Sequence, residues 1–223
     1  MVDNNDSFIR EVNEELRSDQ FRNAWKNYGR VIIAVAVLIV VGTAGYRGYE
    51  YWHENRSSDA GDQFLAALTL ANEGKAEEAK AALAALEADG YGAYAVLARM
   101  RAATVEAEKG DPAAAIKAFS EIGKDTSVPA VIRDVARMRA AWLLIDAGTY
   151  EQVSAEVEAM ATPRDAMRHS AREALGLAAY KAGDMAKARE WFEQIVEDTE
   201  APRNVASRAQ VLLDNITASG KAP

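Results

Sequence analysis

The side chains best suited to move a proton near neutral pH are the two histidines, His53 and His169, and each would need a partner to do so. His53 lies in the polar stretch HENRSSD, and His169 opens a later helical pattern, HSAREALGLAAY. The sequence contains no HExxH, no G-x-S-x-G elbow and no glycine-rich phosphate loop. Cysteine is absent, which removes thiol chemistry, disulfides and the usual structural zinc sites. The 34 acidic residues are interleaved with 26 basic ones, as in EEAK and DMAKAREWFEQ, which is the pattern of solvated helix faces. A net charge of −8 repels phosphate backbones, so nucleic acid is not expected as a partner. The expectation is a chain that is not an enzyme, with no catalytic, metal-ligating or cofactor-binding residues and no small-molecule substrate. His53 reads as an interfacial polar residue, and His169 as a surface or inter-helix one.

With no chemistry to position, the elements themselves carry the information. An uncharged run of 16 residues, VIIAVAVLIVVGTAGY, lies between Arg30 and Arg47. As a helix it rises roughly 24 Å, short of a hydrocarbon core of about 30 Å. The flanks make up the difference: the two arginines can snorkel, with Trp25 and Tyr28 on one side and Tyr46, Tyr49, Tyr51 and Trp52 on the other as aromatic belts. A buried core helix is the alternative for so short a run, and the belts favour a transmembrane signal anchor over residues 30–52. Arg17, Arg22, Lys26 and Arg30 precede the run, whereas only Arg47 and Arg56 follow closely, which places the N-terminus in the cytoplasm and the rest across the membrane. Gly42-Thr43-Ala44 loosely resembles a cleavage site, but six acidic residues in the first 30 are unlike a short basic leader. Residues 1–29 read as a cytoplasmic amphipathic helix, capped by Asp6 or Ser7, with Phe8, Ile9, Val12 and Leu16 on one face. Residues 53–59 read as a polar linker.

Beyond the linker the sequence repeats. Gly74, Gly110, Gly148 and Gly183 are spaced 36, 38 and 35 residues apart, in NEGKAEEA, EKGDPAAA, DAGTYEQV and KAGDMAKA. Seven residues before each stands a small residue: Ala67, Ala103, Ala141 and Gly176. Five after each stand Ala79, Ala115, Val153 and Ala188, and the bulky core residue follows, as with Phe119 and Phe192. Small residues let paired helices cross closely, and glycine supplies the left-handed conformation with which a helix ends. This is the tetratricopeptide pattern, strongest in ALGLAAYKAGDMAKAREWFEQIVEDTEAP and in AATVEAEKGDPAAAIKAFSEIG. The fold expected is all-α: an N-terminal helix and one transmembrane helix, then a tetratricopeptide-like α-solenoid of about four helical hairpins over residues 60–218. A last helix, VASRAQVLLDNITA, presents Val205, Leu212 and Ile216 on one face and should cap the stack, before a flexible tail over 219–223.

The order of parts, the anchor ending in YEYWHENRSSDA, the segment YGAYAVLARMRAA and the run ALGLAAYKAGDMAKAREWFEQIV together resemble the bacterial YfgM-type ancillary subunits of the SecYEG translocon. The resemblance implies a single-pass protein of the bacterial inner membrane with a periplasmic repeat domain. It also implies SecYEG and the membrane-anchored periplasmic chaperone PpiD as partners. Stacked hairpins form a curved slab whose concave side is lined by the first helix of each unit. Repeat positions put Met100, Thr104, Met138, Trp142, Glu173 and Tyr180 near that side as candidate partner-binding residues, adaptable methionines beside aromatic anchors. The expected function is a protein-binding scaffold or chaperone subunit. The alternatives are a regulator coupling periplasmic stress to a cytoplasmic partner, and an assembly factor for envelope complexes.

Overall fold

Segments with apolar residues at helical spacing, most of them rich in alanine, build the helices that follow the long first one. The computed structural model describes the backbone of residues 3–220 and the side chains of residue 22 and of residues 25–220. In order come α1 (Asp3–Asn72), α2 (Ala76–Asp89), α3 (Tyr94–Glu108), α4 (Pro112–Lys124), α5 (Ala130–Ala147), α6 (Tyr150–Val157), a 3-10 turn (Glu158–Met160), α7 (Arg168–Ala182), α8 (Met185–Val196) and α9 (Arg203–Ser219). No strand occurs among the described residues. The chain divides into two compact units, Met1–Ser58 and Asp59–Pro223.

In the first unit the uncharged run is exposed all round, with Leu38 at 71%. Only 6% of its most apolar 18-residue window is buried within the protein, so the alternative of a core helix falls. Among the described residues this is the one helix long and apolar enough to cross a membrane. The run's shortness is removed by helix on both sides: Tyr28 and Tyr49 are 21 residues apart in one helix, or about 32 Å. The start of α1 is Asp3, ahead of the expected caps Asp6 and Ser7. The stripe of Phe8, Ile9, Val12 and Leu16 lies outside the residues whose side chains are described. The expected linker is helical throughout. HENRSSD contains neither proline nor glycine, and pairs at helical spacing support it: His53 stacks on Tyr49, and the Arg56 guanidinium lies 4.9 Å from the Trp52 ring.

The second unit is built from hairpins. The last turns of α1 pair with α2, α3 with α4, α5 with α6, and α7 with α8; α9 then packs on α8 and α7. All eight small positions flanking the glycines are buried. Nine and twelve residues after each glycine come Leu83 and Leu86, Phe119 and Ile122, Val157 and Met160, Phe192 and Ile195, and all are buried. Each of the first three sets packs on the next hairpin, as Phe119 and Ile122 do with Ala136 and Ala140, and the fourth packs on α9, which gives a string of clusters linking neighbours. Gly74, Gly110 and Gly183 have φ of 76°, 93° and 82°, the left-handed turn that the pattern requires. Gly148 differs: its φ is −123°, an extended conformation. There Thr149 and Gln152 form a capping box that starts α6, and a Cβ at Gly148 would lie 2.7 Å from Leu144 Cδ2, so a larger residue requires that side chain to shift. The capping helix α9 buries Val205, Ala209 and Ile216 against Phe192 and Ile195, with Leu212 partly covered.

Candidate partner-binding face

The first helices of the hairpins present one face through residues spaced along a helical stripe. Ten residues before each glycine stand Phe64, Met100, Met138 and Glu173. Between the end of α1, α3 and α5 this face opens into a groove of about 330 Å³. Its apolar floor includes Phe64, Leu97, Met100 and Val135, with Val131 at the edge 72% exposed. Two arginines and one hydroxyl supply its polarity. Arg101 is engaged by Glu108, each carboxylate oxygen 3.2 Å from one terminal nitrogen. Arg139 Nη1 donates to Thr104 Oγ1 at 3.0 Å, and its guanidinium carbon lies 5.3 Å from the centre of the Phe119 ring.

The six expected residues do not share one surface. Met100 and Thr104 are together in the groove, Met100 mostly buried in the core cluster beneath it. Trp142, 37% exposed, continues the stripe of Val131, Val135 and Arg139 along α5. Met138 is buried in the cluster that joins α5 to α7. Glu173 is 3% exposed, and Arg208 of α9 takes both of its carboxylate oxygens at 2.6 and 2.8 Å. Tyr180 packs into the cluster that α9 covers. The fourth hairpin's share of the face is therefore occupied by the chain's own capping helix, which the repeat offsets do not reveal. Phe64, Leu97, Val135 and Arg139 were not among the expected residues. A signal for them exists in the offsets: Phe64 is the first unit's equivalent of Met100, Leu97 and Val135 both stand thirteen before a glycine, and Arg101 and Arg139 both nine before.

The remaining polar groups hold the stack together. His169 is buried, its Nε2 2.8 Å from Asp198 Oδ2, and Arg168 and Arg172 approach the same oxygen at 2.9 and 3.4 Å. Arg172 also donates to the carbonyls of Ala161 and Gln194. The Arg168 hydrogen bond, then the Glu200 N–H and His169, hold the Asp198 carboxyl far below the usual range. This is an inter-helix clamp closing the fourth hairpin. Asp125, in the loop after α4, does the same towards Arg99 of α3: the Ser127 hydroxyl, then Arg99, lower its carboxyl to about 2. Glu77 pairs with Lys109 and Glu106 with Lys80 across neighbouring helices. No group of three or more histidine, aspartate or glutamate residues that could hold a metal occurs among the described residues.

Stacked hairpins with buried small residues at fixed offsets from a glycine turn define a helical-repeat protein, a class whose folds typically bind other proteins. Residues 22–218 match the tetratricopeptide repeat-like domain family, and the chain belongs to it. The match includes the apolar stretch of α1 as well as the hairpins. No curated protein and no solved structure matches the chain.

Proposed function

We propose that this chain is a non-enzymatic protein-binding scaffold, anchored in the bacterial inner membrane by α1, with its repeat domain in the periplasm. Its work would be that of an ancillary subunit of the SecYEG translocon, acting with a PpiD-type chaperone on newly secreted or envelope proteins. The observation that carries the binding part is the open apolar groove on the first-helix face of a tetratricopeptide-like stack. The exposed apolar run between aromatic belts supports the anchor, and the excess of arginine and lysine before it supports the orientation. The translocon and the chaperone rest on the resemblance of the anchor, YGAYA and terminal-hairpin segments.

The test places a photo-crosslinkable residue at Leu97 in intact membranes and identifies what is attached. Translocon and chaperone adducts support the whole reading, and envelope-complex adducts alone turn it to an assembly factor. A regulator would instead lose its activity when residues 1–20 are deleted. Protease added to spheroplasts should reach the repeat domain and not residues 1–29; a protected C-terminus would overturn the orientation.

A further inference from the structure

We propose that the groove between α1, α3 and α5 takes a protein segment carrying apolar side chains beside a carboxylate, and that Arg139 is the residue that pairs with this carboxylate. The proposal rests on the groove being the partner-binding surface. The floor determines the apolar part: Leu97 and Val131 stand exposed beside Phe64 and Val135 with nothing of the described chain over them.

Charge determines the rest. Of the two arginines lining the groove, Arg101 is neutralised by Glu108, while no carboxylate among the described residues pairs with Arg139. Arg139 is nonetheless held in place. Thr104 Oγ1 donates to the Met100 carbonyl at 3.0 Å and so turns a lone pair to Arg139 Nη1, and the Phe119 ring supports the guanidinium from below. A side chain already ordered loses little freedom on binding. The groove thus offers one uncompensated, pre-oriented positive charge at the rim of an apolar floor, within a chain of net charge −8. A carboxylate seated there makes a charge-assisted hydrogen bond in surroundings from which the occupant's apolar residues exclude water. A basic segment would be repelled, and a purely apolar one would leave the guanidinium facing it unpaired.

The experiment pans a random-peptide phage library on the purified full chain in lipid nanodiscs, then measures recovered peptides by fluorescence anisotropy. Recovered peptides should combine Leu, Ile, Val or Phe with Asp or Glu. Arg139→Glu should weaken them at least about tenfold, Arg139→Gln by less, and Arg164→Glu, at an exposed arginine outside the groove, not at all. Val131→Asp should abolish binding. Circular dichroism melts of Arg139→Gln establish that the fold is kept. Loss on Val131→Asp without loss on Arg139→Glu would leave the groove standing and overturn the carboxylate pairing. Binding indifferent to both variants, self-association through the groove in place of peptide binding, or recovery of basic peptides would overturn the proposal. The crosslinks from Leu97 would then decide separately whether the scaffold reading survives.

Discussion

Gly176 is the position where the helix packing can be tested most sharply. It stands seven residues before Gly183, where the other hairpins carry Ala67, Ala103 and Ala141. A Cβ built there would lie 2.6, 2.8 and 2.9 Å from three atoms of the Phe192 ring, which is wholly buried. Two effects compete in Gly176→Ala. Alanine is favoured over glycine inside a helix by about 1 kcal/mol, whereas overpacking a tight core costs about 1–3 kcal/mol. The second hairpin carries alanine and phenylalanine at the two equivalent positions, Ala103 and Phe119, so the clash is relieved once the helices part slightly. That puts the steric cost near the middle of its range and the net loss at about 1 kcal/mol. In a Phe192→Leu background the ring is gone, the steric cost vanishes, and Gly176→Ala should become neutral or stabilising by up to about 1 kcal/mol. The assay is urea denaturation of the full chain in detergent, followed by far-UV circular dichroism, for the four members of the cycle. A Gly176→Ala effect of the same sign and size in both backgrounds would refute the close-approach argument.

Three further outcomes are expected. Gly183→Val should cost about 1–3 kcal/mol, because φ of 82° strains a β-branched residue; Lys181→Ala should cost about 1 kcal/mol, because its Nζ lies 2.5 Å from the Asp146 carbonyl at the end of α5, and equal melting temperatures for Lys181→Ala and wild type would sink that bond. Arg208→Ala strands the buried Glu173 carboxylate and should cost about 2–4 kcal/mol, releasing α9 first by hydrogen exchange, and the loss should shrink in a Glu173→Gln background. Asp125 has a lowered folded value, so its contribution is complete above its ordinary 3.8 and fades as pH falls towards about 2; an acid melt of Asp125→Asn should be flatter over that window, and an unchanged slope would remove Asp125 from the account.

What the sequence by itself determined is what local rules govern. Glycine turns and small residues at fixed offsets specify helical hairpins, because only glycine relaxes at a positive φ and only small side chains allow close crossing; the eight buried small positions follow. The apolar run with aromatic flanks is equally local, and its exposure in the fold agrees with a helix made for an apolar medium. Two local details and one tertiary contact lie beyond that pattern. The stretch HENRSSD is helix because pairings along α1 outweigh its polar composition. Gly148 is extended because the capping box of Thr149 and Gln152 starts α6 by another route. The open part of the first-helix face ends before the fourth hairpin because α9 folds over it, placing Arg208 on Glu173 from 35 residues away. Offsets within a repeat place a residue on a face. Whether that face stays open depends on what packs against it, and that contact is made by chain distant in sequence.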